Sequence, residues 1–564
     1  MHGRRFRTLL LLVAGLAPGA VTAAEDAADL LLVRGVFHPV EPAAAVEGSL
    51  AVRGGQIVYL GSDAGAAGLR GPATEVVDLA GRAVTPGLID AHSHLVGLGR
   101  ALAQVDLVGT GSYGEVVARV AAAAAQRPSG SWVEGRGWDQ NDWADKAFPA
   151  HDELSRAVPD HPVWLTRVDG HAALLNARAL AELGIDGETT DPSGGRFLRA
   201  ADGRPTGVLV DRAMDVVRGR IPGPSPEEER RLLRRAAAHA VERGLTTVTD
   251  MGVDGGDIAA YQALLDAGEL PLRAALFLED EEPLLASWFA GGPRVDPGGR
   301  LLVRGVKLYA DGALGSRGAA LVEPYSDDPA NLGLLTASQD HLRDVASRAL
   351  AAGFQVGVHA IGDRGNLVAL DALEAALAGH PGDDPRVRIE HAQVMRPADI
   401  VRLARLGIIA SMQPTHATSD MPWAGDRVGP RRLAGAYAWR KVLAAGGRLA
   451  LGSDFPVERV DPLLGLHAAV SRQDLAGQPP GGWLPEERLS REEALAGFTL
   501  DAAHSLFLDH LVGSLAVGKR ADLVVYDRDP MAVPVEEIPR VRVDLTVVDG
   551  EVVYRRQADG EGAP

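Results

Sequence analysis

Short apolar runs alternate through the middle of the chain with stretches rich in Ala, Leu, Arg and Glu. This alternation predicts parallel strands joined by helices. Eight runs can be counted, the number of strands that a (β/α)8 TIM barrel requires. They are Leu88 to Ala91, Thr246 to Asp250, Leu272 to Leu278, Val303 to Tyr309, Gln355 to His359, Val387 to Glu390, Ile408 to Met412 and Leu449 to Leu451. We therefore predict an α/β fold with the barrel over residues 87–510.

The gap between the first two runs is too long for a single crossover. It contains strand-like runs of its own, Trp132 to Gly135 and Val163 to Arg167. The loops that follow barrel strands lie at the C-terminal face of a barrel, where insertions occur and where active sites lie. The sequence therefore predicts an insertion at about residues 97–226 on that face.

Both ends of the chain carry short β-like runs separated by turns. Neither end has enough runs to close a β-sandwich alone, so we predict one small composite β-sandwich domain from residues 24–86 and 511–560. A turn is predicted at Asp549-Gly550. The runs are Asp29 to Val33, Ser49 to Val52, Gln56 to Leu60, Glu75 to Asp78, Ala521 to Tyr526, Val543 to Val548 and Glu551 to Tyr554.

Residues 1–23 have the layout of a cleaved signal peptide, with three Arg residues before the apolar run Thr8 to Val21. A retained anchor fits less well, because Pro18 and two Gly residues interrupt a run shorter than the ~20 residues of a spanning helix. We predict a periplasmic or secreted protein that begins near Ala24 or Glu25. The pair Arg4-Arg5 leaves Sec and twin-arginine export both open.

The composition narrows the classes of function. Hydrophobic residues make up 46% of the chain and charged residues 23%, as in a large globular protein. The net charge of -18 would repel nucleic acid and anionic lipid, so neither is an expected partner of the mature protein. The absence of Cys excludes disulfides, thiolate metal sites and a Cys nucleophile. The oligomeric state stays open between a monomer and a homodimer.

Polar residues stand at the C-terminal ends of five predicted strands. Residues two apart in a strand face the same side, so His92 and His94 can bind one cation together. Such a pair alone is a weak signal, because most histidines are not ligands. In a barrel, however, the C-terminal ends of the strands converge on one point. The positions are His92-Ser93-His94, Lys307, His359, His391 and Ser453-Asp454.

Several motifs in the right order along the chain resemble the metal-dependent amidohydrolase superfamily, and in particular its YtcJ-like branch (amidohydrolase family 3). The resemblance covers nearly the whole chain after the leader and also supports the composite terminal domain. The motifs are Pro86 to His94, Val306 to Gly312, His359 to Arg364, Arg388 to Gln393, Gln413 to His416, Gly452 to Asp454, Gly513 to Leu515 and Gly518 to Leu523.

The resemblance implies a site for two metal ions, most simply zinc. His92, His94 and Asp454 would bind the first ion, His359 and His391 would bind the second, and a carboxylated Lys307 would bridge them. His and carboxylate ligands also suit iron, manganese or cobalt. A single-metal site, with Lys307 outside it and paired with Asp311, fits the residues as well. Asp454 would be the catalytic residue that carries a proton from water to the leaving nitrogen.

Further polar and aromatic residues fall near the predicted barrel mouth. They could contact substrate or orient metal ligands, and each also has a structural explanation, since loops there must satisfy buried polar groups. They are Trp138, Asp139 and His171 in the insertion, Asp250 after strand two, Arg317 after strand four, and His416 and Asp420 after strand seven.

The predicted function is hydrolysis of a non-peptide carbon–nitrogen bond in a small molecule: an amide, an N-acyl or N-formyl compound or a cyclic amide. The first alternative is deamination of a small heterocycle, whose usual site has one metal and an acid just beyond the strand-five histidine. Here the nearest acid is Asp363, four residues after His359. The second alternative is a non-catalytic binding or regulatory protein, which would be expected to have lost some ligands.

Overall fold

The structure, a computed structural model, describes residues 27–217, 220–221, 223–380, 382 and 384–557. The predicted leader lies outside the described residues, so signal-peptide cleavage stays a prediction. Among the helices of the described ranges, none is both long and apolar enough to cross a membrane. The described strands form three sheets: a barrel, a sheet inserted after its first strand, and a sheet shared by the two ends of the chain.

The barrel consists of eight parallel strands, and each contains one of the eight predicted runs in whole or in large part. The predicted (β/α)8 fold is confirmed. Their hydrogen-bonded order follows the order of the sequence from strand one to strand eight. Barrel strands one to eight are Leu88–Ser93, Leu245–Val253, Arg273–Leu278, Leu301–Tyr309, Gln355–Ala360, Arg388–His391, Ile409–Met412 and Arg448–Leu451.

Barrel strands eight and one are joined by side chains and loop backbone. Asp90 accepts hydrogen bonds from the backbone N (3.0 Å) and hydroxyl (2.6 Å) of Ser453. The Asp454 backbone N donates to the His92 carbonyl at 2.7 Å. A Cβ atom at position 452 would lie 2.6 Å from the His92 N, so only Gly452 permits this approach. The contact brings Asp454 beside the end of strand one.

Helices cover the outside of the barrel. Leu95–Ala101 packs against Pro226–Val241, where Gly99 permits close contact: a Cβ there would lie 2.8 Å from the Leu232 carbonyl O. The first of these two helices is thus part of the barrel shell. The remaining helices of the barrel region are Gly255–Asp266, Glu282–Gly291, Gln339–Ala351, Asp363–Leu377, Pro397–Arg405, Pro414–Asp420, Ala424–Leu433, Trp439–Ala444, Pro462–Ser471, Arg491–Gly497 and Leu500–Ser505.

The long connection after barrel strand one forms a six-stranded sheet with its own apolar core. Both runs predicted there are strands, although the first extends three residues further, to Trp138. Helices Tyr113–Ala124, Asp152–Ala157 and Ala177–Leu183 accompany the sheet. Its strands are Val105–Asp106, Val133–Trp138, Val163–Arg167, Ala172–Leu175, Gly195–Arg199 and Pro205–Asp211.

Strands from both ends of the chain join in one continuous eight-stranded sheet, rather than in two separately hydrogen-bonded sheets. Ala83–Pro86, which the sequence pattern does not predict, pairs with both the N-terminal and the C-terminal strands. Asp549 and Gly550 have φ of 52° and 79°, as the predicted turn requires. The other strands are Leu30–Phe37, Val46–Arg53, Gln56–Gly61, Glu75–Asp78, Leu523–Tyr526, Val543–Val548 and Glu551–Arg555, and helix Asp63–Ala66 lies beside them.

Candidate metal centre

The polar strand ends meet at the C-terminal mouth of the barrel. One ligand atom each from His92, His391 and Asp454 lies within 4.8 Å of the others, and all three side chains are buried. His94 joins them, with its Nε2 3.2 Å from Asp454 Oδ1. The ring of His359 is centred 4.5 Å from that of His391. Strands one, five, six and eight therefore bring these five residues together.

Three of the histidines have one ring nitrogen held by an oxygen acceptor. Nδ1 of His92 donates to Glu390 Oε2 at 2.6 Å, and Nδ1 of His94 donates to the Met251 carbonyl at 2.9 Å. Nδ1 of His391 donates to the side-chain oxygen of Gln413 at 2.8 Å. A neutral imidazole that donates through Nδ1 has a free lone pair on Nε2, which is the usual arrangement of a metal-binding histidine.

Asp454 is held in an unusual backbone conformation that points its carboxylate into this group. Its φ is 62°, in the left-handed region that favours glycine. Its Oδ1 is shielded from solvent and accepts no hydrogen bond from the residues that the structure describes, although it lies 3.6 Å from His92 Nε2. An anionic oxygen without a donor, beside imidazole nitrogens that carry lone pairs, fits a bound cation.

Lys307 and His359 border the same space. Lys307 Nζ lies 3.3 Å from His92 Nε2 and 4.9 Å from the centre of the Tyr309 ring. The Nε2 atom of His359 lies 3.5 Å from the Gly312 carbonyl. All six predicted ligands therefore surround one space, and the donor set fits a divalent cation.

Burial shifts the protonation of these groups in the direction that metal binding needs. Desolvation, together with the charge of Lys307, lowers the pKa of His92 to about 4. Desolvation also lowers the pKa values of His359 and His391 well below their ordinary value. The pKa of Lys307 falls to about 8, mainly by burial. Neutral imidazoles and a partly deprotonated amine are thus available at neutral pH.

A sequence model described as the Amidohydrolase family matches residues 75–554. The chain belongs to this amidohydrolase family. It is 34% identical to YtcJ of Bacillus subtilis, over 86% of this chain and 91% of that protein. It is 28% identical to the N-substituted formamide deformylase of Arthrobacter pascens, over 94% of this chain and 98% of that protein. The crystal structure of a metal-dependent hydrolase from Pyrococcus horikoshii superposes with a TM-score of 0.73 at 30% identity, over 90% and 99% of the two chains.

The motifs thus identified the family correctly, but they left two residues of the amidohydrolase site unassigned. Arg388 donates to Glu390 Oε1 through Nε and to Oε2 through Nη2, each at 2.8 Å. Glu390 in turn orients His92. The sequence did contain a signal for this pair. Arg388 and Glu390 are two residues apart in a buried strand, so their side chains face the same side, and opposite charges buried on one side are expected to pair with each other.

Asp311 does not have the role that the single-metal alternative gave it. Rather than pairing with Lys307, its carboxylate accepts hydrogen bonds from the backbone N atoms of Ile361 (2.9 Å), Gly362 (2.8 Å) and Ala320 (2.8 Å). These bonds hold the loop after His359. The structural explanation of Lys307 as a partner of Asp311 is therefore not supported.

Three of the further candidates lie close to the predicted ligands of the amidohydrolase. His416 Nε2 is 3.7 Å from Asp454 Oδ2. The ring of His171 is centred 5.0 Å from that of His359, and its Nδ1 donates to Asp211 Oδ1 at 2.8 Å. Asp250 accepts hydrogen bonds from the Val96 N at 3.0 Å and the Tyr261 hydroxyl at 2.6 Å, which ties the end of strand two to the first turn of helix Leu95–Ala101.

The other four candidates are engaged elsewhere. Trp138 is buried in the core of the insertion and donates to the Leu165 carbonyl at 2.8 Å. Asp139 pairs with Arg167, and Arg317 pairs with Asp327 at 3.0 Å. Asp420 accepts from the Gln393 amide at 2.6 Å and the Tyr437 hydroxyl at 2.7 Å, and burial raises its pKa to about 7.

Asp363, the acid considered for deamination, lies in the first turn of helix Asp363–Leu377. Its Oδ1 accepts a hydrogen bond from the Val322 backbone N at 2.8 Å. This carboxylate therefore holds the loop that contains Val322.

Proposed function

We propose that this amidohydrolase hydrolyses a non-peptide carbon–nitrogen bond in a small molecule, such as an N-acyl, N-formyl or cyclic amide. One observation carries the proposal: the Asp454 Oδ1 atom is shielded from solvent, accepts no hydrogen bond, and lies beside the Nε2 atoms of His92 and His94. The similarity to a protein named for deformylation of N-substituted formamides supports this bond type.

The proposed cofactor is a pair of divalent ions, most simply zinc. His92, His94 and Asp454 would hold one ion, His359 and His391 the other, and Lys307 would bridge them as a carbamate. When bound, the ions supply Lewis acidity, which activates water and polarises the substrate carbonyl. In support, burial lowers the pKa values of His92, His359 and His391, and Nδ1 of His94 donates to the Met251 carbonyl.

Carboxylation of Lys307 is the modification that would let this residue bind cations. The unprotonated amine attacks carbon dioxide, an N–C bond forms, and one proton leaves the nitrogen. Burial lowers the pKa of the Lys307 amine to about 8, which makes the reactive form accessible at neutral pH. The carbamate oxygens would then face His92, which already lies next to Nζ.

Asp454 would move the proton in the reaction. Its carboxylate takes a proton from water as the water oxygen forms a bond to the carbonyl carbon. It then donates this proton to the leaving nitrogen as the C–N bond breaks, which yields a carboxylic acid and an amine. Its position beside His92 and His94 suits a group that must contact both the water and the leaving nitrogen.

Elemental analysis of the purified protein, coupled to a hydrolysis screen, tests the proposal. We expect close to two equivalents of a transition metal and release of amine from N-formyl or N-acyl substrates. Chelation should abolish turnover, and added metal should restore it. Protein that contains metal but releases only ammonia from heterocyclic amines would instead support deamination. Metal-loaded protein without turnover on either panel would support a binding role.

We also propose export to the periplasm or the medium, on the basis of the leader-like residues 1–23. N-terminal sequencing of the fractionated protein should find a start near Ala24 or Glu25. An intact Met1 in all fractions would contradict cleavage.

A further inference from the structure

Within the part of the chain that the structure describes, the half-buried Arg136 near the metal centre has no carboxylate partner. Arg136 lies on the insertion strand Val133–Trp138. Its Nη2 donates to the Val168 carbonyl at 2.9 Å, but its Nε is shielded from solvent and has no hydrogen-bond partner. Over the described ranges of the chain, no carboxylate oxygen lies within 4.0 Å of its guanidinium. This leaves a desolvated positive charge with unused donors.

Two other buried arginines of this protein are neutralised directly. Arg167 is on the strand next to Arg136 in the inserted sheet and pairs with Asp139 and Asp169. Arg388 pairs with Glu390 at 2.8 Å. A third, Arg472, has no carboxylate within 4.0 Å among the described residues, but its guanidinium donates to the Trp483 and Tyr437 carbonyls and lies over the Trp439 ring. Taking a cation out of water is costly unless an anion replaces the lost hydration. An unpaired arginine in this setting is therefore expected to meet an anion from outside the chain.

Arg136 lies near residues that border the metal centre. Its Nη1 would lie 3.7 Å from a Cβ atom at Gly170. The next residue is His171, whose ring is centred 5.0 Å from that of His359. Burial lowers the pKa of the Arg136 guanidinium, and the negative charges of Asp454 and Asp169 act against this shift. The arginine thus lies against the segment that carries His171, and His171 in turn lies beside His359.

We propose that Arg136 binds a carboxylate of the substrate, and that the substrates are N-acylated amino acids. This inference rests on the proposed amide hydrolysis and adds the chemical class of the substrate. A guanidinium offers donors in a planar fork that matches a carboxylate, and such charge-assisted bonds fix orientation as well as affinity. In a chain with a net charge of -18, an anionic substrate needs such a local cation.

Matched pairs of substrates test this inference. Each pair is an N-acetylated amino acid and its primary carboxamide, which has nearly the same shape but no charge. We expect wild-type holoenzyme to prefer the acid by about 10- to 100-fold in kcat/KM, the value of one charge-assisted contact. Arg136→Met should remove most of this preference, mainly through KM, whereas Arg136→Lys should keep part of it. Equal use of both members by the wild type would overturn the inference.

Arg127→Met is the matched control, because Arg127 lies in the same insertion and its guanidinium donates to a single backbone carbonyl, that of Trp132, at 3.1 Å. It should keep the preference for the acid. If Arg136→Met slows both members equally, Arg136 has a structural role and the inference is wrong. A melting temperature for each variant separates such a role from loss of fold.

A calorimetric measurement of substrate binding distinguishes failure of this inference from failure of the proposed function. If the wild type hydrolyses neither member of any pair, amide hydrolysis is wrong for these compounds. Binding of the N-acetylated amino acids to the metal-loaded protein then decides the role of Arg136. Affinity at least tenfold higher for the acids than for the carboxamides, lost in Arg136→Met, would support it. Absent or equal binding would overturn it.

Discussion

His92 donates a 2.6 Å hydrogen bond from Nδ1 to Glu390 Oε2, and both side chains are fully buried. This bond joins barrel strand one to strand six, and Arg388 holds the same carboxylate on the other side. Burial alone would raise the pKa of Glu390, but the charge of Arg388 and the hydrogen bond with His92 keep that pKa well below its ordinary value. An ionised carboxylate therefore orients this imidazole, with Nε2 directed toward Asp454 and Lys307.

The first prediction concerns this carboxylate. Glu390→Gln removes the charge behind His92 and should weaken metal affinity by about 10- to 100-fold, as changes to groups that orient ligands typically do. Competition with a chromogenic chelator measures the affinity. Glu374→Gln is a suitable control, because Glu374 pairs with Arg402 on the barrel exterior. Unchanged affinity in Glu390→Gln would show that orientation of His92 does not depend on this charge.

The second prediction concerns the proton carrier. Asp454→Asn should lower turnover by about three orders of magnitude or more, because general acid–base groups contribute roughly 10²–10⁴-fold and a metal ligand is weakened as well. Substrate binding should change far less. Turnover, metal content and melting temperature should be measured on one preparation. Turnover within about tenfold of wild type would remove Asp454 from the mechanism.

The third prediction concerns the bridging lysine. Lys307→Ala should lose metal and activity, and a short carboxylic acid in excess should restore part of both by replacing the missing oxygens. The exposed Lys146 provides the control, because Lys146→Ala should neither lose activity nor respond to the acid. Full activity in Lys307→Ala without added acid would place this lysine outside the metal centre.

The fourth prediction links the metal to stability. A cation that binds only the folded state stabilises it by about 2.7 kcal/mol at a concentration 100 times the dissociation constant. Chelation should therefore lower the melting temperature of the wild type. In His92→Ala and His359→Ala most of this decrease should be absent, whereas His239→Ala, on the outer helix Pro226–Val241, should respond like the wild type. A full chelator effect in His92→Ala would refute its assignment as a ligand.

Much of the fold was predictable because barrel strands are continuous apolar runs that end in polar residues. Val303 to Tyr309 and Gln355 to His359, for example, lie within barrel strands four and five. The strand Ala83–Pro86 was not predicted, because four residues that end in a proline are too few to show the hydrophobic pattern of a strand. Its place between strands from the two ends of the chain depends on pairing partners more than 400 residues apart, Thr85 with Val524 among them.

By itself, the sequence determined the family and the eight strands, and it predicted six metal ligands, because each of these residues stands at the end of an apolar run or inside a motif. Only the tertiary structure showed that Glu390 holds His92, that Asp311 holds backbone amides rather than Lys307, and that Arg136 has no carboxylate partner among the described residues. Local patterns report which face of a strand a residue occupies. Whether a buried charge is neutralised depends on residues from distant segments of the chain, and these come together only in the folded structure.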